Sequence, residues 1–299
     1  MLRLGVRVGA MVAVLAGASV VAVGAQPREG PVELGTILAR AGEKVAEYFA
    51  RAQSLICVET VRLQPLNSGL TADGFARVVE SELRLSWDPL LDSVQPVEAK
   101  TLRQVLRVNG HLPRKNDYDN CTTPEQNASE TQPLSMLLPE QRRDYVFSLA
   151  RPQKIDGRVV LVIDYRLTTP VAVEVSEVEG NEDCISYDVE GGVRGRIWID
   201  PDTHEVLRLD QGLSGLVEVP MPRRIARRAN VEPHFTLERM DTSIRFKPIT
   251  FTDPDETLVL PVSSTQLRIT RGSGQPRLRT ITEYARYRRF LTGARVLPQ

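Results

Sequence analysis

The sequence predicts an α+β chain that is mostly β: one long, curved antiparallel sheet, a half-barrel, with an N-terminal amphipathic helix covering one face. Three observations carry this. Apolar residues recur at helical spacing over one long early stretch, period-two alternation fills much of the rest, and turn-forming residues separate the alternating runs. Strand patterns do not alternate with long helical ones, which argues against a doubly wound parallel sheet or a (β/α)8 barrel.

The first 25 residues carry Arg3 and Arg7, an apolar stretch from Val8 to Val23, and Val23-Gly24-Ala25 before Gln26-Pro27. This is the pattern of a secretory leader cleaved after Ala25, with an uncleaved N-terminal anchor as the alternative. The expected organisation is therefore a signal peptide over 1–25 and a single domain over 26–299, with a break near Gly180 as the two-domain alternative. No later apolar run reaches spanning length, so the expected chain does not span the membrane after leader cleavage. Its expected address is the periplasm or the exterior.

The helix is expected between Glu33 and Gln53, where Leu34, Ile37, Leu38, Ala41, Val45, Tyr48, Phe49 and Ala52 fall on one face. Beyond it Phe75, Val79, Leu83, Leu85 and Trp87 alternate with polar residues, as do Leu102, Leu106 and Val108 with Arg103 and Arg107. These read as half-buried strands whose wet face carries Arg77, Arg84, Arg103, Arg107 and Arg268. Asn109-Gly110, Asp156-Gly157 and Asp200-Pro201-Asp202-Thr203 each lie between apolar runs and predict three hairpins. A short helix is expected near 134–140. Runs at 235–246, 258–262, 266–271 and 277–287, separated by Pro248, Pro254 and Gly272-Ser273-Gly274, complete eight to ten strands. The Pro- and Arg-rich segment 219–233 reads as a long loop.

Composition excludes several function classes. The 38 basic and 38 acidic residues balance, and 41% of the chain is hydrophobic, which is ordinary for a globular protein and wrong for a disordered one. Without a basic field there is no electrostatic case for nucleic acid as a partner. No cofactor is expected, and the enzyme templates fail. His111, His204 and His234 lie outside any His-Glu-x-x-His spacing. Gly212-Leu213-Ser214-Gly215-Leu216 lacks the closing glycine of a nucleophile elbow. Asp200, Asp202 and His204 are better read as a type I turn, in which an Asp side chain caps the backbone amides that follow it. The expected chain is not an enzyme.

Three cysteines remain. In an oxidising compartment Cys121 and Cys184, both in polar loops, are expected to bridge, with Cys57 buried and free in an apolar run; three free thiols are the alternative. Arg223, Arg224, Arg227 and Arg228 form the one dense cationic cluster and are the candidate contacts for a partner, which here would be another envelope protein. Asn127-Ala128-Ser129 fits a glycosylation sequon.

The segment from Gly195 to Asp210, with Ile197-Trp198-Ile199-Asp200-Pro201 followed by Val206-Leu207-Arg208-Leu209, resembles the hairpin of outer-membrane lipoprotein-sorting (LolA/LolB-like) proteins. Leu258-Val259-Leu260-Pro261, the stretch from Gly274 to Arg279 and Tyr287-Arg288-Arg289-Phe290 are similar to the ending of exported bacterial proteins of that kind. The resemblance implies a half-barrel whose apolar face, lidded by helix, accepts acyl chains. It therefore implies an exported binding or carrier protein for a lipid or other apolar ligand. The alternative is a non-enzymatic envelope scaffold or regulatory module. The chain departs from the sorting family in lacking a lipidated cysteine and in carrying long insertions around Cys121 and after Val219.

Overall fold

The computed structural model describes residues 33–52, 54–86, 100–114, 117, 132–178, 181–230, 232–274 and 277–289. Helix α1 (Leu34–Arg51) precedes strands β1 (Leu55–Leu66), β2 (Arg77–Ser86) and β3 (Lys100–Val108). Two 3-10 turns, at Gln132–Leu137 and Gln141–Asp144, lead into β4 (Tyr145–Leu149), β5 (Gln153–Ile155) and β6 (Arg158–Leu167). Then come β7 (Ala172–Val178), β8 (Asn181–Glu190), β9 (Val193–Ile199), β10 (Val206–Leu213) and β11 (Val217–Pro220). Helix α2 (Arg223–Ala229) is followed by β12 (His234–Thr252), β13 (Asp255–Arg271) and β14 (Arg277–Arg289).

Twelve strands form one curved antiparallel sheet, not closed into a barrel, in the order β3-β2-β1-β14-β13-β12-β10-β9-β6-β4, with β11 added beside β12 and β5 beside β6. Strands β7 and β8 form a separate hairpin. The predicted fold class is thus the observed one, with more strands than the sequence pattern counted. Two of the expected hairpins form as read. Asp156-Gly157 joins β5 to β6 with both residues at positive φ, 49° and 83°, the twist a two-residue turn between right-twisted strands requires. Asp200 heads the turn from β9 to β10, its Oδ1 accepting the amides of Asp202 at 2.9 Å and Thr203 at 3.1 Å.

The third is corrected. Asn109 and Gly110 turn the chain after β3, but among the described residues only a single bridge, Val108 with His111, follows and no second strand. Two other expectations change. Pro248 is not a boundary but lies within β12, opposite Val259, and the runs at 258–262 and 266–271 are one strand, β13. The long loop at 219–233 is instead the end of β11 and a helix: Pro222 sits at the N-cap of α2, and Asn230 closes it in the left-handed conformation at φ 53°.

Paired residues in a sheet share a face, so register decides what lies beneath α1. Ile163, Ile197 and Leu209 form one such row, with Leu55 and Leu85 paired farther along the sheet. All are buried in one cluster with Ile37, Ala41, Val45 and Phe49 of α1. The 3-10 turn at Gln132–Leu137 widens the cover, and Gly42 is where it meets α1: a Cβ there would lie 2.5 Å from the Leu137 carbonyl oxygen. Farther along the same face α2, through Ala226 and Ile225, covers a second cluster of Leu213, Val219, Phe235 and Leu237, joined by Val173 and Val189 of the β7–β8 hairpin.

Candidate functional site

Helix α1 is a fitted lid. Its buried face, Ile37, Leu38, Ala41, Gly42, Val45, Tyr48 and Phe49, follows the spacing read in the sequence. The room expected between helix and sheet is largely filled by these side chains and by Leu134, Met136, Leu137 and Leu138, because a close-packed arrangement recovers dispersion contacts that a void forfeits. What remains is a groove of about 50 Å3 toward the C-terminal half of α1. Val45, Tyr48, Leu134, Val206, Phe246 and Leu258 line it, and Lys44, Glu47, Arg51 and Glu205 complete its wall.

Charge holds the lid at that end. Arg51 at the last turn of α1 bonds Glu47 at 2.7 Å and reaches Glu256 on β13 through Nε at 3.2 Å and Nη2 at 3.0 Å. Arg289 of β14 binds the other oxygen of Glu256 and lies 5.6 Å over the Phe251 ring. Burial pushes the Glu256 carboxyl up, but the hydrogen bonds from Arg289 and Arg51 outweigh it and hold the carboxyl below the usual glutamate range. Glu47 is held low by its bond to Lys44 and then by Arg51.

Beside the apolar floor the sheet buries a charge pair that the sequence pattern misplaced. Arg103 was expected on the wet face. Register puts it opposite Leu83 on the face beneath α1, where its Nε and Nη2 donate to Glu59 at 2.8 and 3.2 Å, with side chains only 4% and 2% exposed. The cause is a bulge in β3, where Leu106 is left unpaired opposite the Glu80–Ser81 step of β2; it shifts the β2–β3 register by one residue and leaves Leu102 62% exposed. Arg77, opposite Leu63, and Arg268, opposite Leu278, likewise belong to the covered face, whereas Arg84 and Arg107 are exposed on the outer one.

Cys57 lies next to this pair, buried and unbonded as expected. Burial first, and Glu59 second, push its thiol up to about 12, so it stays protonated and inert. Tyr287 closes the row, donating to the Pro261 carbonyl at 2.6 Å.

Of the residues singled out in the sequence, Cys121 lies outside the described residues, as does the Cys184 side chain, so their pairing is not among the features described; Asn127 and Trp87 also lie outside them. Arg223, Arg224, Arg227 and Arg228 all lie on α2 and are exposed, a helix face rather than a loop. Asp200 is engaged in its turn, and His204 takes positive φ there, 61°.

The sheet's other face carries a small buried apolar cluster of Val160, Val162 and Trp198 and, beside it, a row of charged residues. Asp164, Arg196 and Asp210 form a row across β6, β9 and β10, and they help to line an open trough of about 860 Å3. Sequence reasoning missed this face because its charges are spread over segments remote in the chain.

No protein-family model matches the sequence, and no curated protein matches it. Among solved structures the chain is similar to a "putative outer membrane lipoprotein-sorting protein domain" from Vibrio parahaemolyticus, at 12% identity and a TM-score of 0.40, over 86% of this chain and 95% of that one. It is also similar to a DUF1329 family protein from Desulfovibrio piger, at 9% identity and a TM-score of 0.42, over 86% of this chain and 93% of that one.

Proposed function

We propose that the chain is an exported, non-enzymatic binding or carrier protein that takes the apolar chain of a lipid or similar ligand beneath α1. The observation that carries this reading is the groove between α1 and the sheet, apolar on its floor and ringed by Lys44, Glu47, Arg51 and Glu205. An acyl chain laid there meets Val45, Tyr48, Phe246 and Leu258, and the charged wall suits a polar end left in water.

Size sets the mechanism. About 50 Å3 is well short of the roughly 300–1,000 Å3 of a ligand pocket. A guest therefore enters only as α1 lifts and uncovers the floor of Leu55, Leu83, Ile197, Leu209, Ile244 and Leu260. The guest then replaces the apolar contacts the helix gives up, at roughly 25 cal/mol for each Å2 kept from water. Breaking the clamp should ease lifting. Titration of the purified mature protein with a fluorescent fatty acid tests this: Glu256→Gln is expected to bind several-fold faster than the native chain, and Val259→Trp, which crowds the groove wall, is expected to weaken binding about tenfold. Absence of binding by all three proteins contradicts the reading.

A second reading, a scaffold for another envelope protein, has its own support. The sheet ends in two edge strands, β3 and β4, that expose Leu102, Val146 and Leu149, and such edges can accept an added strand. In-cell cross-linking from position 146 checks it: a single dominant adduct favours the scaffold, and its absence leaves the carrier.

A further inference from the structure

The outer-face trough has a charge arrangement that its own ion pairs do not explain. Arg196 bonds Asp164 through Nε at 2.6 Å and Nη2 at 3.1 Å, and Arg208 bonds Asp210 at 2.8 and 2.7 Å while lying 4.6 Å over the Trp198 ring. Arg239 is likewise paired with Asp241. These local pairs use the aspartates available. Arg166 and Arg194 also line the trough, are exposed, and have no carboxylate partner among the described residues.

The two stand directly opposite each other on β6 and β9. Their Cβ atoms are therefore on the order of 5 Å apart, and like charges so placed destabilise a sheet. Nothing in the fold requires guanidinium at both positions, since neither is buried. The next position along the row is Gly212 on β10, which adds no side chain; a Cβ there would lie 2.8 Å from Asp241 Oδ1. The space over Gly212 is taken by the Asp241 carboxylate, which Arg239 already pairs.

We propose that Arg166 and Arg194 are the two jaws of a binding site for a small, soluble, phosphate-bearing ligand. Each guanidinium presents a planar fork matched to a phosphoryl group, and two adjacent forks neutralise a dianion that neither holds alone. Arg196, fixed by Asp164, supports the same pole without an open charge of its own. The trough is wide and open, so a small phosphate-bearing molecule reaches both exposed guanidinium groups from solution. This site lies on the face opposite α1 and stands whether or not an apolar guest binds there.

Isothermal titration with inorganic pyrophosphate in chloride buffer tests the proposal, with melting temperature read alongside. The native chain is expected to bind and to melt higher in pyrophosphate. Arg166→Gln/Arg194→Gln is expected to lose about tenfold or more in affinity and, with the like charges gone, to melt no lower than the native chain in chloride alone. Arg223→Gln/Arg227→Gln, on α2, is expected to bind as the native chain does. Equal affinity in the native and Arg166/Arg194 proteins overturns the proposal. So does an equal loss in the α2 variant, or binding only to phosphatidylglycerol vesicles and not to pyrophosphate.

Discussion

Glu59 and Arg103 tie together the part of the sheet that lies next to the lid. Their bidentate contact is almost wholly withdrawn from water, so each charge depends on the other: removing one leaves an uncompensated buried ion, a change that costs about 3–5 kcal/mol. Glu59→Ala is expected to show that loss in urea denaturation, whereas Glu59→Leu/Arg103→Met, which removes both charges and fills the space, is expected to fall within about 1–2 kcal/mol of the native chain. The pair was not legible in the sequence. Glu59 interrupts an otherwise clear alternation of Leu55, Cys57, Val61 and Leu63 in β1, and Arg103 reads as a solvent-facing residue until the β3 bulge at Leu106 is known. A bulge depends on how two strands meet, and neither strand announces it alone. Asp200 is the contrary case: a turn residue acting on its own neighbours is written in five consecutive letters, and the structure follows them.

Among the elements, α1 is both the most legible and the most consequential. Its period is continuous, so its buried face could be read residue by residue, while α2 was hidden in a stretch rich in Pro and Arg. The signal for α2 was nonetheless there: Pro222 at its entrance, Arg and Ala as good helix formers, and Asn230 at its close. The clamp on α1 gives the lid a pH dependence. Glu47 and Glu256 are held below the ordinary glutamate value of 4.5 in the folded chain. A carboxyl with a depressed folded pKa contributes stability that is present above its unfolded pKa and lost as pH falls through the folded one. Melting temperature is therefore expected to fall as pH drops below 4.5, and Glu256→Gln, which lacks that ionisation, is expected to show a shallower fall from a lower start. A parallel pair of curves contradicts the clamp.

At the scale of the molecule, β1 pairs with β14, so the first and last strands meet in the interior of the sheet order. That closure joins the β1–β3 wing, which holds the buried charge pair, to the β6–β13 body, which supplies most of the lid's floor. The mostly antiparallel class and the covering helix were legible because period and turn residues are local. The strand order was not, since β14 joins β1 across most of the chain. The central claim is that this apolar face is a binding surface with α1 as its movable cover. Hydrogen–deuterium exchange of the purified protein, with and without a saturating fatty acid, tests it most directly. The claim predicts that exchange changes in α1 and at the β12–β13 end around Glu256 while the distant α2 stays as it was; identical exchange in α1 with and without the fatty acid would contradict it.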